Sequence, residues 1–220
     1  MVATFLPLIL SPVSYYLGRK YGVNLTTWFS FAVIAISTIM LFIPAMMLSG
    51  GKTAYVESYT WSQFGNFCLR LDGLSLPFAL TIYILCTVLA LYSKPYMAHR
   101  IEEEARERFD NTGKDSNSHS GTSEKTSRTE SSQSGRLNIE TLEQRTILAQ
   151  KEQYVKSQTG LYFALYLMFS MGMMGTVLAT NLIEFYVFFE LMLVPSFFLI
   201  AFYGYGARRR ISLMFFFWTH

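Results

Sequence analysis

The sequence predicts an all-α polytopic transmembrane protein, with five full spanning helices, the start of a sixth, and a mostly disordered polar insert. Three observations carry that prediction. Of the 220 residues 51% are hydrophobic and only 15% charged, with 19 Phe, 14 Tyr and 11 Met. Long apolar runs recur along the chain, the longest from Leu161 to Tyr205. The acidic residues are segregated: of fifteen Asp and Glu, eleven lie between Glu102 and Glu152, leaving only Glu57, Asp72, Glu184 and Glu190.

The same facts exclude other classes. The net charge of +3 arises from basic residues in loops, with no basic stripe interleaved with aromatics, so no nucleic-acid partner is expected. Cys68 and Cys86 have neither CxxC spacing nor histidine companions and form no metal or disulfide framework. His119, inside the polar run, has no ligand-like neighbours. Nothing resembles a phosphate-binding GxxxxGK loop, and no nucleophile stands beside a base.

Residues 1–17 are apolar but lack the basic flank and small-residue cleavage site of a signal peptide, so they are assigned as a first helix softened by Pro7 and Pro12. A second helix is expected from about Thr27 to Leu48, closed by Ser49-Gly50-Gly51. From Lys52 to Asp72, aromatic and β-branched residues alternate with polar ones around Gly65 and Asn66, the pattern of a hairpin. Tyr55, Tyr59 and Trp61 suit the headgroup region, which places this hairpin on the membrane surface. Asp72-Gly73-Leu74-Ser75 supplies an acceptor for the first turn of a third helix, expected over Leu74–Tyr92 and ended by Lys94-Pro95.

Residues 99–157 differ from everything around them. Their Ser, Thr, Glu, Lys and Arg cannot bury enough apolar surface to offset chain entropy, so disorder is expected from about Asp110 to Gly135. The flanks are expected to be helical, IEEEARERF as an extension of the third helix and the stretch after Leu137 as a solvated lead-in to the fourth. The chain thus divides into 1–98 (three helices with an external hairpin at 49–73), the insert 99–157, and 158–220 (helices four, five and the start of six). The fourth helix is expected over Leu161–Leu178 and the fifth over Leu182–Tyr203, with a tight Ala-Thr-Asn break between them; the apolar run from Ile211 is too short to span.

Orientation follows from the basic residues. Arg19 and Lys20, Lys94 and Arg100, and Arg208 to Arg210 all fall on one side, whereas the opposite loops hold Lys52 and Arg70, each near an acid. By the positive-inside rule, the N-terminus is outside and the insert cytoplasmic.

The candidate functional residue is Glu190, near the middle of helix five. A carboxylate there costs about 2.5–3.5 kcal/mol on insertion scales, so it is paired within the protein or belongs to an ion path. Pro195, five residues on, removes the donor to the carbonyl of Leu191 and is expected to kink the helix and leave a polar group near the carboxylate. Glu184 falls about 120° from Glu190 around the helix and near its end, where an interfacial anchor is expected. Gly172 and Gly175 on helix four are expected to allow close helix approach.

Several stretches resemble subunit M of the respiratory complex I family, the homologue of mitochondrial subunit 4, within a group that includes cation/proton antiporter, F420H2 dehydrogenase and membrane-bound hydrogenase subunits. They are LRLDGLSLPFAL, LYSKPYM, the run from Leu161 to Gly206 with its FFELMLVP signature, and FFFWTH. The resemblance covers most of residues 54–100 and 158–220. It implies a proton-translocating subunit of the prokaryotic cell membrane with no redox cofactor or quinone site of its own, assembled with other membrane subunits. The signature glutamate falls on Glu190, which in the family works with a lysine on the seventh helix. Here the sequence stops within helix six, so that lysine and the remaining helices are expected on a second chain, unless the copy is truncated. Leu213-Met214-Phe215 and Asn181 depart from the family's usual lysine and aspartate, and the Ser-rich insert is atypical. The alternatives are a cation/proton antiporter or hydrogenase subunit, or a non-pumping scaffold whose insert docks a partner.

Overall fold

The computed structural model describes residues 2–50, 53–61, 65–118 and 131–220. It is mostly helical: α1 (Val2–Tyr21), α2 (Val23–Ser49), β1 (Ala54–Trp61), β2 (Gly65–Asp72), α3 (Ser75–Ser118), α4 (Ser131–Leu178), α5 (Leu182–Tyr203) and α6 (Arg208–Thr219). Four helical segments are long and apolar enough to cross a membrane: Val23–Leu48, Ser75–Arg108, Gln144–Leu178 and Leu182–Tyr203. The expected first span is a continuous helix of 20 residues, but it lies outside that set. Its buried face, Thr4, Ser11, Ser14 and Gly18, is small and polar rather than greasy.

Helix α4 is the centre of the bundle. Of its most apolar stretch 56% is buried, against 22%, 22% and 17% for α2, α3 and α5. Consequently α1, α3 and α5 all pack on it. The α1 crossing is set by glycine: a Cβ on Gly18 would come within 2.3 Å of the Gly160 Cα. Hydroxyl groups complete the contacts, Ser11 donating to the Ala164 carbonyl at 2.8 Å and Tyr166 to the Cys86 carbonyl at 2.6 Å. Small residues and interhelical hydrogen bonds are what hold helices together where lipid removes the hydrophobic drive. Large apolar side chains point outward, among them Ile39, Met46, Leu85 and Val88. Such a surface suits a lipid solvent and is unfavourable in water.

Two expected boundaries are corrected. Helix α3 does not end at Lys94-Pro95 but runs on to Ser118, taking in the IEEEARERF extension expected of it. Proline removes one ladder bond, and Met97, Ile101 and Ala105, all buried at i, i+4 and i+8, keep a packed face beyond it. Helix α4 begins at Ser131 rather than Leu161, because Gly160 is a close-packing residue inside the helix and no breaker. Both helices therefore cross the expected insert boundaries at 98/99 and 157/158. Of the stretch expected to lack order, residues 119–130, with His119, lie outside the described residues.

The hairpin is antiparallel and pairs Ala54 with Asp72 through to Trp61 with Gly65. Gly65 and Asn66 thus open β2, and the connection is 62–64, outside the described residues. Asp72 caps α3: its Oδ1 accepts from the Leu74 and Ser75 amides at 3.1 and 2.9 Å, while Ser75 Oγ accepts from the Asp72 amide at 2.9 Å. Arg70 is paired with Asp72 at 3.4 Å, as its position near an acid suggested. Lys52 lies outside the described residues.

Candidate functional site: the two carboxylates of α5

Asn181 starts α5 by accepting the Glu184 amide on its Oδ1 at 2.8 Å, with extended backbone at φ −127 and ψ 160. The Glu184 side chain, 3% exposed, turns back over the same end. Its Oε1 accepts the Cys68 amide at 2.6 Å, and its Oε2 accepts the Thr180 amide at 3.1 Å and hydroxyl at 3.3 Å. The Thr180 hydroxyl shares that one proton with the Cys68 carbonyl, the nearer acceptor at 2.9 Å, and Leu69 bridges Ala179. Glu184 is therefore a buried clasp that ties β2 to the α4–α5 junction. The expectation of an interfacial anchor placed it at the correct end of the helix and missed its burial. The signal available was the Asn181-x-x-Glu184 spacing, a capping-box pattern.

Glu190 is the opposite case. One and a half turns further along, its side chain is 29% exposed, yet Oε1 itself is shielded from solvent and makes no hydrogen bond that meets geometric criteria. His220, at the end of α6, brings Nδ1 to 3.0 Å from that oxygen. Tyr186, one turn earlier on α5, presents its hydroxyl to the same carboxylate. The histidine ring is held by stacking: it lies 5.6 Å from Phe216 at 8°, and Phe216 meets Phe197 of α5 edge-on at 5.7 Å. Sequence reasoning quoted FFFWTH but gave His220 no role. Only the packing of α6 on α5 brings residues 30 positions apart together.

The α4–α5 seam fixes where these groups sit. A Cβ on Gly172 would meet the Met192 backbone at 2.8 Å, and one on Gly175 would meet the Phe188 ring at 2.1 Å. The two glycines thus allow the close approach expected of them. Pro195 is buried and α5 is continuous across it, from Leu182 to Tyr203. Its ring nitrogen still leaves the Leu191 carbonyl without its usual donor. The arrangement can hold one proton between a carboxylate and an imidazole, with one face of the pair open.

No known protein-family profile matches the chain, and a search among curated proteins finds no match. The class defined by the architecture is a mostly helical chain with four helices long and apolar enough to span a bilayer, compatible with a membrane protein.

Proposed function

We propose that this chain is a proton-translocating membrane subunit of a respiratory complex I-like NAD(P)H or F420H2:quinone oxidoreductase, of the subunit M type, with Glu190 as its proton-transfer group. It lies in the prokaryotic cell membrane with its N-terminus outside and the 99–157 insert inside. The first helix is a fifth span in this reading, held in the bundle by α4 rather than by its own hydropathy. Other membrane subunits complete it. The chain itself takes no cofactor.

The observation that supports this reading is the Glu190 carboxylate in the middle of an apolar helix, its Oε1 shielded and, among the described residues, approached by the His220 imidazole, with the Tyr186 hydroxyl at the same carboxylate. A carboxylate with a purely structural role is saturated with donors, as Glu184 is. One left short of donors can exchange a proton as its partner moves. The test is donor-driven proton uptake in inverted membrane vesicles carrying the assembly. Glu190→Gln is expected to abolish coupled pumping while the assembly stays intact. A normal proton-to-electron ratio in that variant overturns the proposal. Uptake that depends on sodium would assign the chain to the antiporter branch instead.

A further inference from the structure

A second site lies at the other end of the bundle. Between α3 and the turn joining α5 to α6 is a hollow of about 380 Å³ walled by Tyr92, Tyr96, His99, Arg100, Glu103 and Tyr205. We propose that it binds the phosphate of an anionic phospholipid headgroup. The proposal rests on the membrane reading of the chain and is independent of any proton transfer at Glu190.

The first argument is a donor without an acceptor. Arg100 Nε is shielded from solvent and has no hydrogen-bond partner among the described residues, while the side chain as a whole is 23% exposed. Its guanidinium carbon lies 4.3 Å from the Tyr205 ring centroid, a contact that restrains the group at the wall of the hollow. A planar, oriented set of N–H donors matches a phosphate oxygen pair. Glu103 is the acid at hand, and at 3.8 Å from an Arg100 terminal nitrogen, with its side chain 55% exposed, it is a loose partner.

The second argument is a hydroxyl pair. Tyr96 donates to the Tyr205 oxygen at 2.6 Å, and both side chains line the same hollow. Glu104, the adjacent acid, is already taken up by Arg208 at 2.6 Å, so Glu103 is the acid that Arg100 faces among the residues lining the hollow.

Position selects a lipid as the source of the phosphate. The apolar run of α3 ends at about Tyr92, and the hollow occupies the next three turns, the depth at which headgroups lie. Tyr92 and Tyr96 stack at 6.5 Å to make an aromatic wall below the guanidinium, suited to a glycerol backbone and the start of an acyl chain. An arginine held between helices on the side richer in Lys and Arg suits anionic lipid recognition.

The experiment uses the full chain in nanodiscs of phosphatidylcholine with and without phosphatidylglycerol, and native mass spectrometry to count retained lipid. Wild type is expected to retain one phosphatidylglycerol against exchange, Arg100→Gln about tenfold more weakly, roughly one decade of affinity. Arg100→Lys keeps the charge but not the fork and falls between them. Glu103→Gln, which removes the competing carboxylate, tightens retention and guards against reading misfolding as lost binding. Equal retention across these variants overturns the proposal. Saturable binding of inorganic phosphate to the detergent-solubilised chain, abolished by Arg100→Gln and indifferent to phosphatidylglycerol, also overturns the lipid assignment.

Discussion

His220 Nδ1 lies 3.0 Å from Glu190 Oε1, so the last turn of α6 meets the middle of α5 at a polar contact within a largely apolar seam. If the pair shares a proton, both members matter unequally. Glu190→Gln removes the carboxyl and is expected to abolish vectorial proton movement. His220→Asn keeps a polar group and is expected to slow it by on the order of tenfold to a hundredfold. Proton uptake by quenching of a pH-sensitive dye gives both rates. Unchanged flux in His220→Asn would reduce the histidine to a packing role.

Glu184 supports a different prediction, about stability and not transport. Glu184→Ala strips a buried carboxylate from three donors and is expected to cost on the order of 3 kcal/mol. The loss should be local. Cys68, whose amide the carboxylate holds, is half-buried, whereas Cys86 lies in the α2–α3–α4 core. Maleimide labelling of Cys68 is therefore expected to accelerate in Glu184→Ala while Cys86 stays protected. Equal labelling of both thiols would mean global unfolding.

The glycine seams predict a ranking. Gly18→Ala presses a Cβ into the Gly160 backbone, which cannot rotate away, and is expected to destabilise by about 1–3 kcal/mol. Gly73→Ala, with open space around it, is the control and should change little. Thermal unfolding in detergent, followed by circular dichroism, compares the two. A larger loss in the control than in Gly18→Ala would refute close packing of α1 on α4.

Acidification should loosen the start of α3. The Ser75 amide above all holds the Asp72 carboxyl below the usual carboxylate range, burial opposes this, and the Ser75 hydroxyl, Leu74 amide and Arg70 add to it. A carboxyl whose folded value is depressed stabilises the fold above its unfolded value. That stability fades as pH falls through the folded value. The unfolding midpoint of wild type is thus expected to drop more than that of Asp72→Asn between neutral pH and about pH 3. Parallel pH profiles would show that the cap contributes nothing.

Much of the helical plan was legible because it depends on local composition and periodicity. The hairpin followed from alternation, the α3 cap from Asp72 and Ser75, and the α4–α5 break from Ala-Thr-Asn. What escaped was set by partners distant in sequence. Lys94-Pro95 ended a helix on local grounds, but the buried face of Met97 and Ile101 against Tyr203 carries α3 onward. Gly160 looked like a boundary, although its meaning lies in Gly18 on another helix. Burial of Glu184 reverses what its place near the helix end suggests, because the hairpin covers it, and the contact of Glu190 with His220 needs α6 folded back on α5. The Arg100 site depends on Tyr205, more than a hundred residues away, and no local pattern announces it.

The turn between α5 and α6 gives the Glu190–His220 contact a mechanical sensitivity. Helix α5 is held at both ends, by Asn181 and Glu184 at one and by Tyr203 donating to the Gln158 carbonyl at 2.8 Å at the other. Helix α6 packs chiefly on α5 and is tethered at its base, where Arg208 grips Glu104. The joint between the two helices is Gly204 to Ala207, where Gly206 takes φ 63. Helix α6 has 12 residues and is about 18 Å long. An opening of about 10° therefore carries His220 about 3 Å from the carboxylate, by the same helix rise, and leaves the anchoring ion pair intact.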